Sequence, residues 1–455
     1  MADAFDRRLG MDRSISRRDF LDGVAIALGA TLLPAGCRPS EPDVPFAPER
    51  DPRYYPPALT GLRGNHPGSF ETAHELRIGT LEKTLGRARD TRERYDLVVV
   101  GAGISGLAAA HFYRQARGNG VRVLLLDNHD DFGGHAKRNE LTAGGRLLLS
   151  YGGTESIESP AQYSPAARGL LTELGVDVQR FYTAFDQQRY EKLGLGSGTF
   201  FDRETFGDDR LLTGGTDAVS RAFLERAPLS PAARRDIHRL YHSSRDYLPG
   251  LSSDEKKARL AKTSYRDFLL DLVKVTPDAI PFFQAWTHDL YGVGIDAVPA
   301  LDCWGLEFPG FAGLLLDEGP GPGMGLTPQL WMNETEPYIF HFPDGNASIA
   351  RLLVRRLVPP ALSGNTMEDV VTARLDYSQL DDEASATRIR LNSTVVRVRH
   401  LNDPESARAV EITYVRGGRV WTVQAEACVL ACWNMVIPYL CPELPRHSGK
   451  RWRTR

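Results

Sequence analysis

The sequence contains little cysteine and no long apolar segment. Five cysteines occur in 455 residues, and none belongs to a CxxC or CxxCH motif, which argues against a metal site, a disulfide framework and covalently attached haem. We expect Cys303, Cys428, Cys432 and Cys441 to be core residues. No apolar stretch reaches the length of a normal transmembrane helix.

A strong net charge is also missing. The 55 Lys and Arg residues are matched by 58 Asp and Glu residues, which leaves a formal charge of −3, so no general affinity for nucleic acid is expected. Hydrophobic residues make up 42% of the chain, which is ordinary for a globular protein. The length is sufficient for two or three domains.

A glycine-rich turn near residue 100 indicates a dinucleotide site. The apolar run YDLVVV predicts a buried parallel strand, LAAAHFYRQA predicts a helix, and VRVLLL predicts a second strand that ends at Asp127. In such a unit the three glycines form the tight turn, admit a pyrophosphate and pack the helix on the strand, while the acid reaches a ribose hydroxyl. The alternative is a glycine turn in an ordinary α/β layer. The candidate residues between the strand and the helix are Gly101, Gly103, Ile104, Ser105 and Gly106.

The stretch DNHDDFGGHAKRNE, residues 127–140, bears on which dinucleotide is bound. It resembles the second glycine signature of the flavin amine oxidase superfamily, in which the additional loop covers the pyrophosphate of FAD. Glycines leave room for backbone near a phosphate, and a basic side chain can neutralise it, although a Lys-Arg pair alone could be a solvated feature of a loop. We therefore predict FAD rather than NAD, with contacts from Asp127, Asn128, Gly133, Gly134, Lys137 and Arg138.

A second glycine pair follows in GGRLLLSYGGTESIE, residues 144–158. Gly152, Gly153 and Thr154 would let the backbone pass close to a flat ring. Glu155 is the first candidate for an acid near that ring, and it is the predicted catalytic residue.

Residues 166–330 have a mainly helical pattern in which aromatic residues and acids accumulate. Aromatic rings and carboxylates suit a cationic amine, although each acid alone could be a solvated surface charge. The candidate substrate-binding residues are Trp286, Asp289, Tyr291 and Trp304.

The pattern then returns to a cofactor-binding fold. HFPDGNASIARLLVRRLV, residues 341–358, predicts a tight turn that leads into a helix, while IRLNSTVVRVRH and RVWTVQAEACVLACWN predict strands. This order resembles the middle of flavin amine oxidases. In them a valine at the position of Val395 meets the adenine through its backbone.

Within that superfamily the sequence resembles the bacterial spermidine dehydrogenases, from about residue 50 to 445. The resemblance depends on TGLRGNHPGSFE, DNHDDFGGHAKRNE, FHFPDGNASIARLLVRRL and VLACWNMVIPYLCPELP. It implies oxidation of spermidine at a secondary amine by hydride transfer to flavin N5, which yields 1,3-diaminopropane and 4-aminobutanal. It also implies an electron acceptor such as a cytochrome or a quinone. Some members carry b-type haem, for which His66 and His74 are candidate ligands.

Two other functions stay open at this point. One is another FAD-dependent oxidoreductase of the amine oxidase or desaturase type. The other is an inactive, truncated flavoprotein remnant.

The N-terminus resembles a twin-arginine export signal. Residues 16–21 read SRRDFL, and the short apolar segment VAIALGATLLPAG leads to Cys37. The resemblance implies a periplasmic protein, with a lipid anchor at Cys37 as an option that Pro34 disfavours. A short basic helix is the alternative.

The predicted fold class is α/β, a Rossmann-like FAD-binding domain of the GxGxxG plus GG type with an inserted, mainly helical substrate domain. The predicted parts are a signal region (1–42), a Pro-rich segment (43–92), the FAD-binding domain (93–165 and 331–445), the substrate domain (166–330) and a basic tail (446–455). Family members continue past residue 445, so we expect a frame change or an incomplete gene end there, with a benign tail as the alternative. Such a chain should bind FAD weakly or aggregate.

Overall fold

The computed structural model describes residues 46–59, 64, 66–81, 85–213 and 220–444. The predicted export signal, Cys37 and the basic tail 446–455 therefore lie outside the described residues. The chain divides into two compact units, Met1–Asp51 and Pro52–Arg455. In the first unit the described residues form a 3-10 turn at Pro48–Arg50, and all that follows concerns the second unit.

Ten strands form three sheets in the described part of the second unit. A six-stranded sheet has the order β7-β2-β1-β10-β9-β8, and two hairpins pair β3 with β4 and β5 with β6. The strands are β1 (Arg89–Val100), β2 (Val123–Leu126), β3 (Arg138–Ala143), β4 (Arg146–Tyr151), β5 (Gly198–Phe201), β6 (Arg210–Thr213), β7 (Thr387–Arg390), β8 (Thr394–His400), β9 (Val410–Arg416) and β10 (Arg419–Leu430).

Helices connect and cover these strands. The longer ones are α1 (Glu71–Ile78), α2 (Ile104–Arg117), α3 (Pro165–Glu173), α4 (Arg221–Arg226), α5 (Pro231–His242), α6 (Ser253–Leu260), α7 (Ala300–Gly305), α8 (Leu326–Trp331) and α9 (Ala347–Leu357). Shorter helical turns are Phe181–Ala184, Arg189–Lys192, Arg203–Phe206, Tyr265–Asp267, Ile280–Gln284, His288–Tyr291, Asp369–Thr372, Ile437–Leu440 and the π-helical turn Phe268–Val273.

The central sheet is parallel on one side and antiparallel on the other. β1 pairs in parallel with both β2 and β10, so that Val98 lies between Leu124 and Cys428, and β2 continues in parallel to β7. β10, β9 and β8 form an antiparallel meander. The fold is therefore the predicted mixed α/β class with a parallel Rossmann-like sheet.

Alternation along β1 builds a core on each face of the sheet. Leu97 and Val99 belong to the cluster that packs under α2 and α9, whereas Val98 and Val100 belong to the cluster on the opposite face. Successive side chains of a strand point to opposite faces, so a strand buried on both faces needs an uninterrupted apolar run. This explains why YDLVVV lacks the alternation of a half-exposed strand.

Residues 166–330 contain α4 to α8 and the hairpin β5–β6 around a separate apolar core that includes Tyr265 and Phe268. The helical pattern of the sequence is thus confirmed, while the domain boundaries stay a proposal. Cys303 is buried in this core, but the free thiols Cys428, Cys432 and Cys441 are only half-buried. Among the described helices, none combines the length and the hydropathy that crossing a bilayer requires.

Two buried arginines anchor β7 to β1. Arg388 and Arg390 lie two positions apart and therefore share one face of β7. Their Nε atoms lie 2.6 and 2.7 Å from the two carboxylate oxygens of Asp381. Their Nη1 atoms lie 2.7 and 2.9 Å from the carboxylate oxygens of Glu93 on β1. Such a cluster tolerates the loss of a partner poorly, because the remaining buried charge would be uncompensated.

We predict that Glu93→Gln lowers the free energy of unfolding by about 3 kcal/mol at neutral pH. Burial opposes ionisation of Glu93, but the hydrogen bond and charge of Arg390 outweigh it and lower the pKa from 4.5 to about 2. A depressed pKa stabilises the fold above the unfolded value and loses that contribution as the pH falls toward the folded value. The gap between wild type and variant in urea unfolding should therefore shrink from pH 5 downward.

The exposed carboxylate of Glu405, in the loop before β9, provides the matched control. Glu405→Gln should leave the free energy of unfolding within about 0.5 kcal/mol of wild type. The assigned role of Glu93 would be contradicted if the difference in free energy of unfolding between wild type and Glu93→Gln stayed constant from pH 7 to pH 3.

Candidate dinucleotide site

The turn after β1 requires glycine at two positions for steric reasons. Gly101 has a φ of 102°, and an alanine Cβ there would lie 2.4 Å from the carbonyl oxygen of Ala431. A Cβ on Gly106 would lie 1.9 Å from the carbonyl oxygen of Gly101. The first glycine thus permits the turn and the third lets α2 pack against β1.

Gly103 differs from these two glycines because a Cβ at this position would not clash with the backbone of the turn. A Cβ on Gly103 would be no closer than 3.7 Å to another atom, the Cα of Gly134. Gly103 and Gly133 form a parallel β-bridge, and the Gly133 N–H donates to the Ala102 carbonyl at 2.8 Å. The structure therefore brings the two glycine motifs of the sequence into direct backbone contact.

The N-terminus of α2 lies at this contact. Gly103 is the N-cap of this 14-residue helix, and no side chain of the described residues caps it. Ile104 is half-buried and Ser105 is exposed in the first turn. The first N–H groups of a helix lack intrahelical partners and carry the positive end of the dipole, so this terminus suits a phosphate.

Asp127 follows β2 and fixes the glycine turn. Its Oδ2 accepts the Ala102 N–H at 2.7 Å and its Oδ1 accepts the His129 N–H at 2.9 Å. The side chain is 7% exposed. A carboxylate has about four lone-pair sites, so both oxygens keep capacity for a ribose hydroxyl while they hold the turn.

Lys137 and Asn128 are held by side-chain contacts around the loop that follows β2. The Lys137 ammonium lies 2.7 Å from Nδ1 of His129 and 3.8 Å from Oδ1 of Asp130. Burial and the nearby ammonium lower the pKa of His129 to about 4, so His129 is neutral at pH 7 and accepts the hydrogen bond. The Asn128 amide donates to the Ser69 carbonyl, which ties this loop to the segment before α1.

Arg138, which the sequence predicts to contact phosphate, is buried in the core. It is 3% exposed, and its guanidinium lies 2.5 Å from Glu140 and 3.1 Å from Asp344. It also donates to the Val371 carbonyl at 2.6 Å. Because these partners occupy the guanidinium inside the core, we assign Arg138 to holding β3 against α9 rather than to contacting phosphate.

The haem ligands expected from the family resemblance are not supported. His66 has Nε2 3.1 Å from Asp130 and Nδ1 3.0 Å from the Pro67 carbonyl, so both ring nitrogens are engaged. His74 is exposed on α1 with its ring 5.3 Å from Phe70. Across the described ranges, no three His, Cys, Asp or Glu side chains are grouped to hold a metal ion.

The second glycine pair passes beside the turn that begins α9. A Cβ on Gly152 would lie 2.8 Å from the Lys137 carbonyl oxygen, and the Gly153 N–H donates to His135 at 2.8 Å. Thr154 Oγ1 accepts a hydrogen bond from the side chain of Asn346 at 2.7 Å. The segment therefore runs directly from the Gly133-Gly134 loop to the N-cap of α9.

Glu155 continues this segment and has a partner that the sequence did not reveal. Its Oε2 accepts the hydroxyl of Tyr338 at 3.2 Å. Burial, then the charge and hydrogen bond of Glu155, raise the pKa of Tyr338, so this hydroxyl stays protonated at neutral pH. No local pattern distinguishes Tyr338 from the other tyrosines, because the pairing spans 183 positions of sequence.

Val395 lies on β8 and is buried opposite Tyr414 of β9. The corner between β7 and β8 is bonded to the loop after β2, since Asn392 N–H donates to His129 and Ser393 N–H donates to Asp127. This corner accordingly belongs to the same edge of the sheet as the glycine turn.

Of the four aromatic and acidic candidates in the helical part, two have side-chain partners and two are exposed. Tyr291 donates to Asp302 at 3.1 Å, and the Lys257 ammonium lies 5.0 Å from the Trp304 ring, so a cation already covers that ring. Trp286 is half-exposed against Phe283, and Asp289 is exposed. These contacts all lie within residues 166–330, so the four residues remain predicted substrate contacts.

We predict that Gly106→Ala lowers the free energy of unfolding by at least about 2 kcal/mol, because the Cβ would force backbone apart. Gly103→Ala should change it by less than about 1 kcal/mol, since the N-cap position has an ordinary extended φ and no close neighbour. Urea unfolding of the two variants beside wild type measures this difference. Equal losses at both positions would contradict the steric assignment of the turn.

One protein-family model matches the part of the chain that contains both glycine motifs. Residues 99–174 match the family model described as an NAD(P)-binding Rossmann-like domain, and no curated protein matches the chain. Among solved structures, putrescine oxidase bound to putrescine is 17% identical with a TM-score of 0.37, and a fatty acid isomerase from P. acnes is 13% identical with a TM-score of 0.37.

Each of these two matches covers 79% of this chain and 63% of the solved chain. This chain thus spans less than two thirds of the length of those proteins. At such identities and TM-scores, the matches assign neither an activity nor a substrate. Residues 99–174 are a Rossmann-like dinucleotide-binding unit.

Proposed function

We propose that this chain is an FAD-dependent amine dehydrogenase that oxidises a polyamine such as spermidine. The observation that carries the proposal is the backbone contact between Gly103 and the Gly133-Gly134 pair. A second glycine loop against the first belongs to the flavin amine oxidase pattern that the sequence resembles.

The residues present fit the groups of a dinucleotide. The N-terminus of α2, which no described side chain caps, suits a pyrophosphate, and Gly103 at its N-cap carries no side chain that would obstruct one. The remaining lone pairs of Asp127 suit ribose hydroxyls, and Lys137 contributes a buried ammonium beside His129 and Asp130. Gly152, Gly153 and Thr154 would pass beside the ring system.

When bound, FAD supplies the acceptor for a two-electron oxidation of an amine to an imine, which water then hydrolyses. The role of the protein is to orient the substrate and to hold its protons. Glu155 can hold a substrate ammonium, and Tyr338 fixes the orientation of this carboxylate through its hydroxyl. With spermidine the products would be 1,3-diaminopropane and 4-aminobutanal, and a cytochrome or quinone would reoxidise the enzyme.

The proposal is tested by mixing the FAD-loaded chain with spermidine without oxygen. We expect the flavin absorbance near 450 nm to bleach in proportion to added spermidine. Flavin that stays oxidised with spermidine, and is reduced by another class of substrate, would favour a desaturase-type enzyme. A chain that never retains FAD would favour the inactive remnant.

Gly103→Val tests the cofactor site itself. The branched side chain would crowd the Gly133-Gly134 loop, because a Cβ on Gly103 would already lie 3.7 Å from the Cα of Gly134. We therefore expect FAD retention below about one tenth of wild type. Gly120→Val, beyond the other end of α2 with open space around it, is the matched control and should retain FAD. Full FAD content in Gly103→Val would show that the pyrophosphate does not bind at Gly103 and the N-terminus of α2.

We also propose periplasmic export, on the sequence SRRDFL at residues 16–21. Replacing Arg17 and Arg18 with lysines should leave the protein in the cytoplasm, as measured by cell fractionation. An unchanged periplasmic yield would remove the twin-arginine assignment.

A further inference from the structure

A cleft of about 310 Å³ begins one residue after Glu155. Its walls come from residues 156–163, which follow the second glycine pair, and from α8 with the residues after it. The lining includes Glu158, Ser159, Tyr163, Leu330, Trp331 and Glu334. Its volume lies at the lower end of the range for small-molecule sites.

The charge of this cleft is negative. No Lys, Arg or His belongs to its lining, and the Glu158 carboxylate makes no hydrogen bond or ion pair within the described ranges. Glu334 accepts the Ser159 hydroxyl and the Glu336 N–H, which holds this second carboxylate in place without neutralising it. The nearby Arg168 donates to the Ala161 carbonyl rather than to either acid.

Aromatic rings form the other walls. Trp331 is 46% exposed, although a large apolar ring normally gains from burial. Tyr163 is fixed because its hydroxyl donates to the Ile157 carbonyl. Burial and then the charge of Glu158 raise the pKa of Tyr163, which places ring and carboxylate within electrostatic reach. Rings beside carboxylates favour an organic cation with an apolar chain.

The cleft adjoins the proposed reaction site, because Ser156 of its lining directly follows Glu155 and Ser159 bonds to Glu334. Tyr338 donates to Glu155, and Glu158 also contributes to the raised pKa of this tyrosine. A linear amine with its reacting nitrogen at Glu155 would therefore extend its chain past Glu158 toward Glu334. A metal ion is a poorer occupant, because the described acids are not grouped as metal ligands.

We propose that this cleft binds the second, non-reacting ammonium group of a linear diamine or polyamine, with Glu158 and Glu334 as charge partners and Trp331 as a wall. The inference depends on the proposed function for the reaction at Glu155. It assigns to residues 156–163 and 327–334 the selection of amines that carry two charges.

The test is anaerobic flavin reduction in the FAD-loaded chain, with spermidine and with butylamine, which has one ammonium group. Glu158→Gln and Glu334→Gln should each raise the half-saturating spermidine concentration about tenfold. Trp331→Leu should raise it about threefold. The limiting rate of reduction and the response to butylamine should stay within about twofold. Glu405→Gln, remote in sequence and exposed, is the control for a lost surface charge.

Unreactive binding separates this inference from the proposed function. Hexamethonium carries two quaternary ammonium groups and cannot form an imine, so calorimetry with it reports binding alone. Hexamethonium binding that weakens about tenfold in Glu158→Gln supports the cleft even if no amine reduces the flavin. The inference would be overturned if spermidine reduced the flavin with an unchanged half-saturating concentration in both Gln variants. It would also be overturned if the half-saturating concentration of butylamine rose by the same factor. The proposed function would stand in both cases.

Discussion

The carboxylate of Asp127 holds together the parts on which the candidate site depends. It accepts the N–H of Ala102 in the glycine turn and the N–H of His129 in the loop after β2. Its own backbone bonds to Arg390 at the end of β7 and to Ser393 at the start of the next corner. Because this residue is buried, a neutral substitute would leave backbone donors without the charged acceptor that they share. The Asp127 carboxylate thereby holds the glycine turn that leads into α2, together with the Gly133 N–H that donates to the Ala102 carbonyl.

The segment before α1 adds a second layer around the same loop. Tyr54 bonds to the Asp130 carbonyl, His66 pairs with the Asp130 carboxylate and Ser69 accepts from Asn128. Since its partner Asp130 is buried, His66 has a structural role: it attaches this segment to the loop after β2. Tyr54, His66 and Ser69 of the Pro-rich segment are therefore all bonded to the loop after β2.

Local sequence patterns predict the parts of this molecule that depend on local physics. The apolar run before Gly101, the helix after it and the turn before α9 follow from periodicity and glycine sterics. The long-range pairing of Arg138 with Asp344 and of Glu155 with Tyr338 could not be predicted, since charged and hydroxyl groups have many possible partners in one chain. The same limit applies to the Lys257 ammonium over the ring of Trp304, because the two residues lie 47 positions apart and outside any local period.

The formal charge of −3 does not show that the glycine loops and the cleft beside Glu155 differ in their charged groups. At one end, the dipole of α2 places partial positive charge beside the glycine loops, where the Lys137 ammonium lies 3.8 Å from Asp130. At the other end, Glu155, Glu158 and Glu334 lie within a short reach of the same backbone, with no cation in the cleft lining. Fields of opposite sign at neighbouring sites attract opposite ligands. Under the proposed function, the anionic pyrophosphate would lie at the N-terminus of α2 and the cationic amine at these carboxylates, so that each ligand would meet the charge that suits it.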